Sequence, residues 1–161
     1  MKNTVLFSLS ILLFSCQPTN NSKELLNQIK ALKIKISNVY KPGFGEFMGN
    51  IQVHHSKLWF AGKAKNWKLA AFEINELKEN FKNLQKQETN RQESNMIPMI
   101  IPALNSMSNA IQNKDTFDFK NKFQELTATC VSCHQATGFE FIQIQIPNFK
   151  NFSNQKFKLK E

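Results

Sequence analysis

In four stretches of this chain apolar side chains recur at intervals of three and four residues, the spacing that lines one face of an α-helix. The first, from Phe44 to Ala61, brings Phe47, Met48, Ile51, His55, Leu58 and Trp59 near one face, and Gly62 marks its predicted end. The second takes Asn66 as its N-cap and runs to about Gln87, with Ala70, Ile74, Leu77, Phe81 and Leu84 along its seam. A polar linker, QETNRQESN, precedes a shorter helix in IPMIIPALNSMSNAIQ, where Pro102 fits the first turn because a missing amide donor is harmless there. The last begins near Thr116 and aligns Phe119, Phe123, Leu126, Cys130 and Cys133. Four such stripes must bury against one another, and short connections favour antiparallel neighbours. The expected fold class is therefore all-α, an up-and-down four-helix bundle.

Ahead of the bundle, KELLNQIKALKIKISNVY carries Leu25, Ile29, Leu32, Ile36 and Val39 as a heptad seam with isoleucine at a and leucine at d. We read it as an N-terminal helical stalk, although Leu32, Ile34 and Ile36 also alternate as a strand would. The seam can lie on the main domain or pair two copies of the chain, a homodimer through residues 25–39. KPG at 41–43 ends the pattern.

The chain opens MKNTVLFSLSILLFSC, with one lysine, an apolar run from Val5 to Phe14 too short to span a bilayer, and small Ser15 before Cys16. This is the pattern of an export signal. LFSC resembles the lipobox of bacterial lipoproteins, in which the cysteine is lipidated and becomes the first residue of the mature chain. The expected division is a signal peptide over 1–15, a tether and amphipathic helix over 16–43, the bundle over 44–137 and an extended segment over 138–161. The expected location is the periplasmic side of a bacterial membrane, held by a lipid anchor on Cys16.

The formal charge of +9 rests on lysines and a single arginine. Bidentate phosphate recognition favours arginine, and an exported protein rarely meets nucleic acid, so no nucleic-acid partner is expected. A lysine surface serves solubility or attraction to an acidic partner.

CVSCH, residues 130–134, carries the chemistry. Two thiols three residues apart on one helical face can meet the two vinyl groups of a haem, and the adjacent histidine can ligate its iron. A structural zinc site would need two further ligands at metal spacing, and no second cysteine pair exists. A thioredoxin-like dithiol would need a strand-to-helix setting. A strained local disulfide is the remaining alternative. The motif points to one covalent haem c held by Cys130 and Cys133, with His134 as metal ligand.

A helical bundle with C-x-x-C-H on its last helix resembles the class II c-type cytochromes, over roughly Phe44 to Ala136. The resemblance implies a distal residue from the first helix with a histidine six positions on, a relation in which Met48 and His54 stand. It implies Met48 as the sixth ligand, with His54 or His55 as alternatives; adjacent residues point about 100° apart on a helix, so only one histidine can face the haem squarely. The family's arginine one turn before the distal residue is replaced by Phe44, so contacts to the haem propionates must come from elsewhere. Ile142, Ile144 and Ile146 alternate with Gln143 and Gln145, which predicts a strand or extended strap. Packing outside the bundle is preferred for it over covering a haem edge.

The implied function is electron transfer, with an acidic redox partner protein, and no enzymatic activity is expected. The alternative is a gas-binding or haem-sensor protein with an open sixth site. A non-haem dithiol or structural lipoprotein is a third class.

Overall fold

A computed structural model describes residues 20–37 and 39–159; the expected export signal and lipobox, with Cys16, lie outside the described residues. The chain is all-helical, and no strand occurs among the described residues. No described helix is long and apolar enough to cross a membrane. The chain divides into two units, Met1–Lys41 and Pro42–Glu161.

The first unit contains α1 (Asn20–Ser37). Lysine, glutamine, leucine and alanine are all good helix formers, and they outweigh the short alternation at Leu32, Ile34 and Ile36. Leu25, Ile29, Leu32 and Ile36 are exposed in the single chain.

The second unit contains α2 (Phe44–Lys63), α3 (Trp67–Gln87), a 3-10 helix (Gln92–Ile100), α4 (Ile101–Gln112) and α5 (Thr116–Ala136). Helix α2 packs on α3 and α5, and α4 packs on α3 and α5. The expected stripes are the core. Ala70, Ile74, Leu77, Phe81 and Leu84 of α3 are buried, as are Phe119, Phe123 and Leu126 of α5. Trp59 and Trp67 pack on Phe119, and Trp59 also on Phe123, so both indoles belong to this aromatic core.

Three helices end in the same way. The Asn66 N–H donates to the Ala61 carbonyl and the Lys65 N–H to that of Gly62, both at 2.9 Å. Asp115 and Lys114 repeat the pattern on Ala110 and Ile111, and Phe139 and Gly138 repeat it on His134 and Gln135. These are Schellman caps, and each needs one residue in the left-handed region. Lys65 and Lys114 take φ of 55°, and Gly138 takes 79°. At the first two corners the next residue starts a new helix: Asn66 Oδ1 accepts from the Leu69 N–H, and an Asp115 carboxylate oxygen accepts from Phe117 and Asp118.

Helix α2 does not end at Gly62. It runs through to Lys63, and the glycine serves packing, because a Cβ there would stand 2.0 Å from the Phe119 ring. The predicted third helix begins at Ile101, and the stretch before it, including part of the predicted polar linker, forms a separate 3-10 helix. Pro98 and Pro102 each lack an amide donor and crowd the carbonyl four residues back, which blocks a continuous α-helix. Ser94, Ile97 and Ile100 then recur every three residues, the period of a 3-10 helix, and all three are buried. Pro102 sits in the first turn of α4 as expected.

Beyond α5 the chain turns over residues 137–142 and then continues without regular structure, joining no ladder among the described residues. Its tail returns to the core: Phe157 is buried against Phe60, and its carbonyl accepts from Asn66 Nδ2 at 3.1 Å.

Candidate functional site

Helix α5 carries Cys130, Cys133 and His134 in its last two turns, where offsets of three and four bring them to one face. All three line a cavity of about 380 Å³. Its walls are mostly apolar: Met48 and Ile51 from α2, Phe81 from α3, Ile97 and Ile100 from the 3-10 helix. Phe139, Ile142 and Ile144 close another side, so the extended segment contributes to the cavity wall as well as covering the helices. Its alternating isoleucines are used without any strand pairing.

The two thiols are not bridged. Burial pushes the Cys130 thiol up to about 12, with the neighbouring Cys133 adding to the effect, and burial also raises Cys133. An activated redox dithiol has the opposite shift. No group of three or more potential metal-ligating His, Cys, Asp or Glu side chains occurs among the described residues. Both cysteines are thus protonated thiols against an apolar space.

His134 is oriented by the segment that follows it. The cap at Gly138 turns the chain back, and the Ile142 carbonyl lies 2.9 Å from His134 Nδ1. A carbonyl can only accept, so Nδ1 carries the hydrogen and Nε2 keeps its lone pair. This is the arrangement in which metal-ligating histidines are usually held, with the non-ligating N–H donated to a carbonyl or carboxylate.

The three candidates for a further ligand separate. Met48 lines the cavity, half-buried, between Gly45 and Gly49, which also line it. A Cβ at either glycine would meet nothing within 4 Å. Neither glycine is required by packing or by a turn, although each costs an α-helix up to ~1 kcal/mol relative to alanine. Together they keep the α2 wall flat on either side of Met48.

His55 also lines the cavity, buried at 4% exposure. Its Nε2 lies 2.9 Å from Thr127 Oγ1, whose own hydrogen goes to the Phe123 carbonyl at 2.8 Å. The hydroxyl must therefore accept from His55, so Nδ1 is the unprotonated nitrogen of this ring. Desolvation lowers its pKa to about 4, and it is neutral at physiological pH. His54 does not line the cavity. Its Nδ1 is paired at 2.7 Å with Glu73 of α3, a carboxylate only 1% exposed. Sequence reasoning missed Glu73, whose one signal is a carboxylate between Ala70 and Ile74 at the edge of an apolar seam.

Arg91 and Glu93, also unassigned by sequence reasoning, line the cavity and pair with each other at 2.6 Å. The Arg91 guanidinium lies over the Phe44 ring, 4.9 Å from its centroid.

No family model, no curated protein and no solved structure matches this chain.

Proposed function

We propose that this protein is an exported c-type cytochrome whose second unit is an up-and-down four-helix bundle carrying one covalent haem for electron transfer. The observation that carries the reading is the shared cavity of Cys130, Cys133 and His134, with His134 Nδ1 bonded to the Ile142 carbonyl and Nε2 left as the ligating atom. The residues fit the group: an apolar cavity, a flat glycine-bearing wall, two protonated thiols and a fixed imidazole. In attachment each Sγ bonds to the α carbon of a vinyl group and the thiol hydrogen passes to the β carbon, so no oxidant or reductant is consumed overall. Haem, when bound, supplies an iron that cycles between ferric and ferrous states.

The chain's part is to hold that iron on two sides and keep it dry. His134 would ligate the iron from α5, and Met48 would be the second protein ligand from α2. A thioether favours ferrous iron and raises the potential, which suits a carrier. His54 is engaged with Glu73, so His55, through Nδ1, is the histidine alternative. Lipidation at Cys16 anchors the protein to the membrane on its periplasmic side, and the lysine-rich surface meets an acidic redox partner.

A gas-binding reading draws on Gly45 and Gly49, which leave space beside Met48. Optical spectra of the haem-loaded protein and of Met48→Ala decide between the two. The carrier reading expects a low-spin wild type, and a variant that turns high-spin and binds carbon monoxide when reduced. A wild type already high-spin and binding carbon monoxide overturns the carrier reading in favour of the sensor. If the variant remains low-spin, Met48 is not the ligand and His55→Ala becomes the variant to examine.

A further inference from the structure

We infer that Arg91 is the carboxylate clamp of the cavity, binding one propionate of the haem while Glu93 holds its guanidinium in place. The inference rests on the haem reading above and assigns a residue that the resemblance to class II cytochromes does not supply.

Haem carries its vinyl groups and its two propionates on opposite edges, so a site that fixes the vinyl edge through Cys130 and Cys133 must accommodate two carboxylates at its other edge. Burying even part of an ionised carboxylate without a partner costs several kcal/mol, so a cation is needed at that edge. The second unit is rich in lysines, yet among the described residues none lines the cavity. Arg91, the single arginine of the chain, is the cationic side chain among the described lining residues. Guanidinium is also the better group for the task, because its fixed fork matches a carboxylate at two points and its flat face stacks on an aromatic ring.

Both features are present. The guanidinium lies over Phe44, the residue occupying the position where the resemblance would have put an arginine. The Phe44 ring thus supports a cation delivered from another part of the chain. Backbone geometry fixes the approach: Arg91 is the N-cap of the 3-10 helix, its carbonyl accepts from the Ser94 N–H, and Ser94 is buried. Glu93 takes one arm of the fork through Oε1. Of the five N–H donors of a guanidinium, that arm uses only part, and the remainder can serve a second carboxylate.

The test uses the haem-loaded protein. A cation on a propionate offsets negative charge near the iron and favours the ferrous state, so Arg91→Gln lowers the midpoint potential. Arg91→Lys, which keeps the charge and loses the fork, lowers it less. Glu93→Gln removes a negative charge and shifts it upward. Lys86→Gln, on the exposed end of α3, leaves it unchanged. A readout specific to contact accompanies these: the propionate bending mode in the resonance Raman spectrum shifts in Arg91→Gln and not in Lys86→Gln. Should Arg91→Gln hold haem with an unaltered Raman mode, the clamp is overturned and the haem reading stands, whatever the potential does. Wild-type protein that carries no haem overturns the haem reading and the clamp with it.

Discussion

At the scale of single residues, the site combines groups whose protonation is set by burial. His55 is held neutral because water cannot reach it, and its pKa falls from 6.5 to about 4. The unfolded chain takes up a proton near the higher value and the folded chain only near the lower. Between them the unfolded state binds more protons, so stability rises with pH across this window. The contribution is complete above about pH 6.5 and is lost as pH falls toward 4. The expected size is about 3 kcal/mol. Urea unfolding at neutral pH and near the lower end of the window measures it, and His55→Gln, which can still donate to Thr127, removes most of the difference. A wild type equally stable at both ends contradicts the buried, neutral assignment. The same desolvation acts on the thiols without making them reactive. Burial raises the pKa of both Cys130 and Cys133, which lowers their thiolate fraction.

At the scale of elements, α2 forms the cavity wall that carries Met48, and its glycines are its least expected feature. Gly45 and Gly49 give up helix propensity and gain no packing contact within the protein. Our account assigns the space beside them to the haem. The double substitution Gly45→Leu, Gly49→Leu therefore leaves the unloaded chain at least as resistant to heat as the wild type while lowering haem incorporation several-fold, measured as absorbance per mole of protein. Full loading of that variant contradicts the assignment. The helices themselves were legible in the sequence, since a stripe such as Ala70 to Leu84 has one burial solution and Asn66 marks a helix start by its side-chain chemistry. The helix ends were less so. Lys65 and Lys114 adopt a backbone conformation that sequence alone assigns to glycine, while Gly62, which looks like a stop, is a contact point for Phe119. The split at Pro98 and Pro102 was concealed because apolar residues there satisfy three-residue and four-residue spacings equally. Within the site, CVSCH and Met48 were legible from spacing and resemblance. Glu73, Arg91, the glycine wall and the Ile142 carbonyl were not, because each acts through a contact distant in sequence. His54 shows the cost: its position six residues after Met48 fits the family pattern, yet Glu73 draws it away from the cavity.

At the scale of the whole molecule, the two units answer different demands. The second unit surrounds an apolar cavity with helices and uses the chain after α5 to complete both the cavity wall and the orientation of His134. The first carries an exposed heptad seam on α1, of the kind that pairs copies of a chain, and our reading proposes an export signal with a lipid-accepting cysteine ahead of it. Export and covalent haem belong together, because c-type attachment takes place outside the cytoplasm, and our account of the protein depends on that conjunction. Its central claim is that Cys130 and Cys133 each hold one vinyl carbon of a single haem. The most direct measurement is the mass of the denatured protein, produced with a c-type maturation system, beside that of the Cys130→Ser, Cys133→Ser double variant. The account predicts a wild-type mass increased by one intact haem that survives acid-acetone extraction, and a double variant at the mass of its polypeptide alone. A wild-type protein at polypeptide mass, or a double variant that retains haem through the extraction, contradicts it.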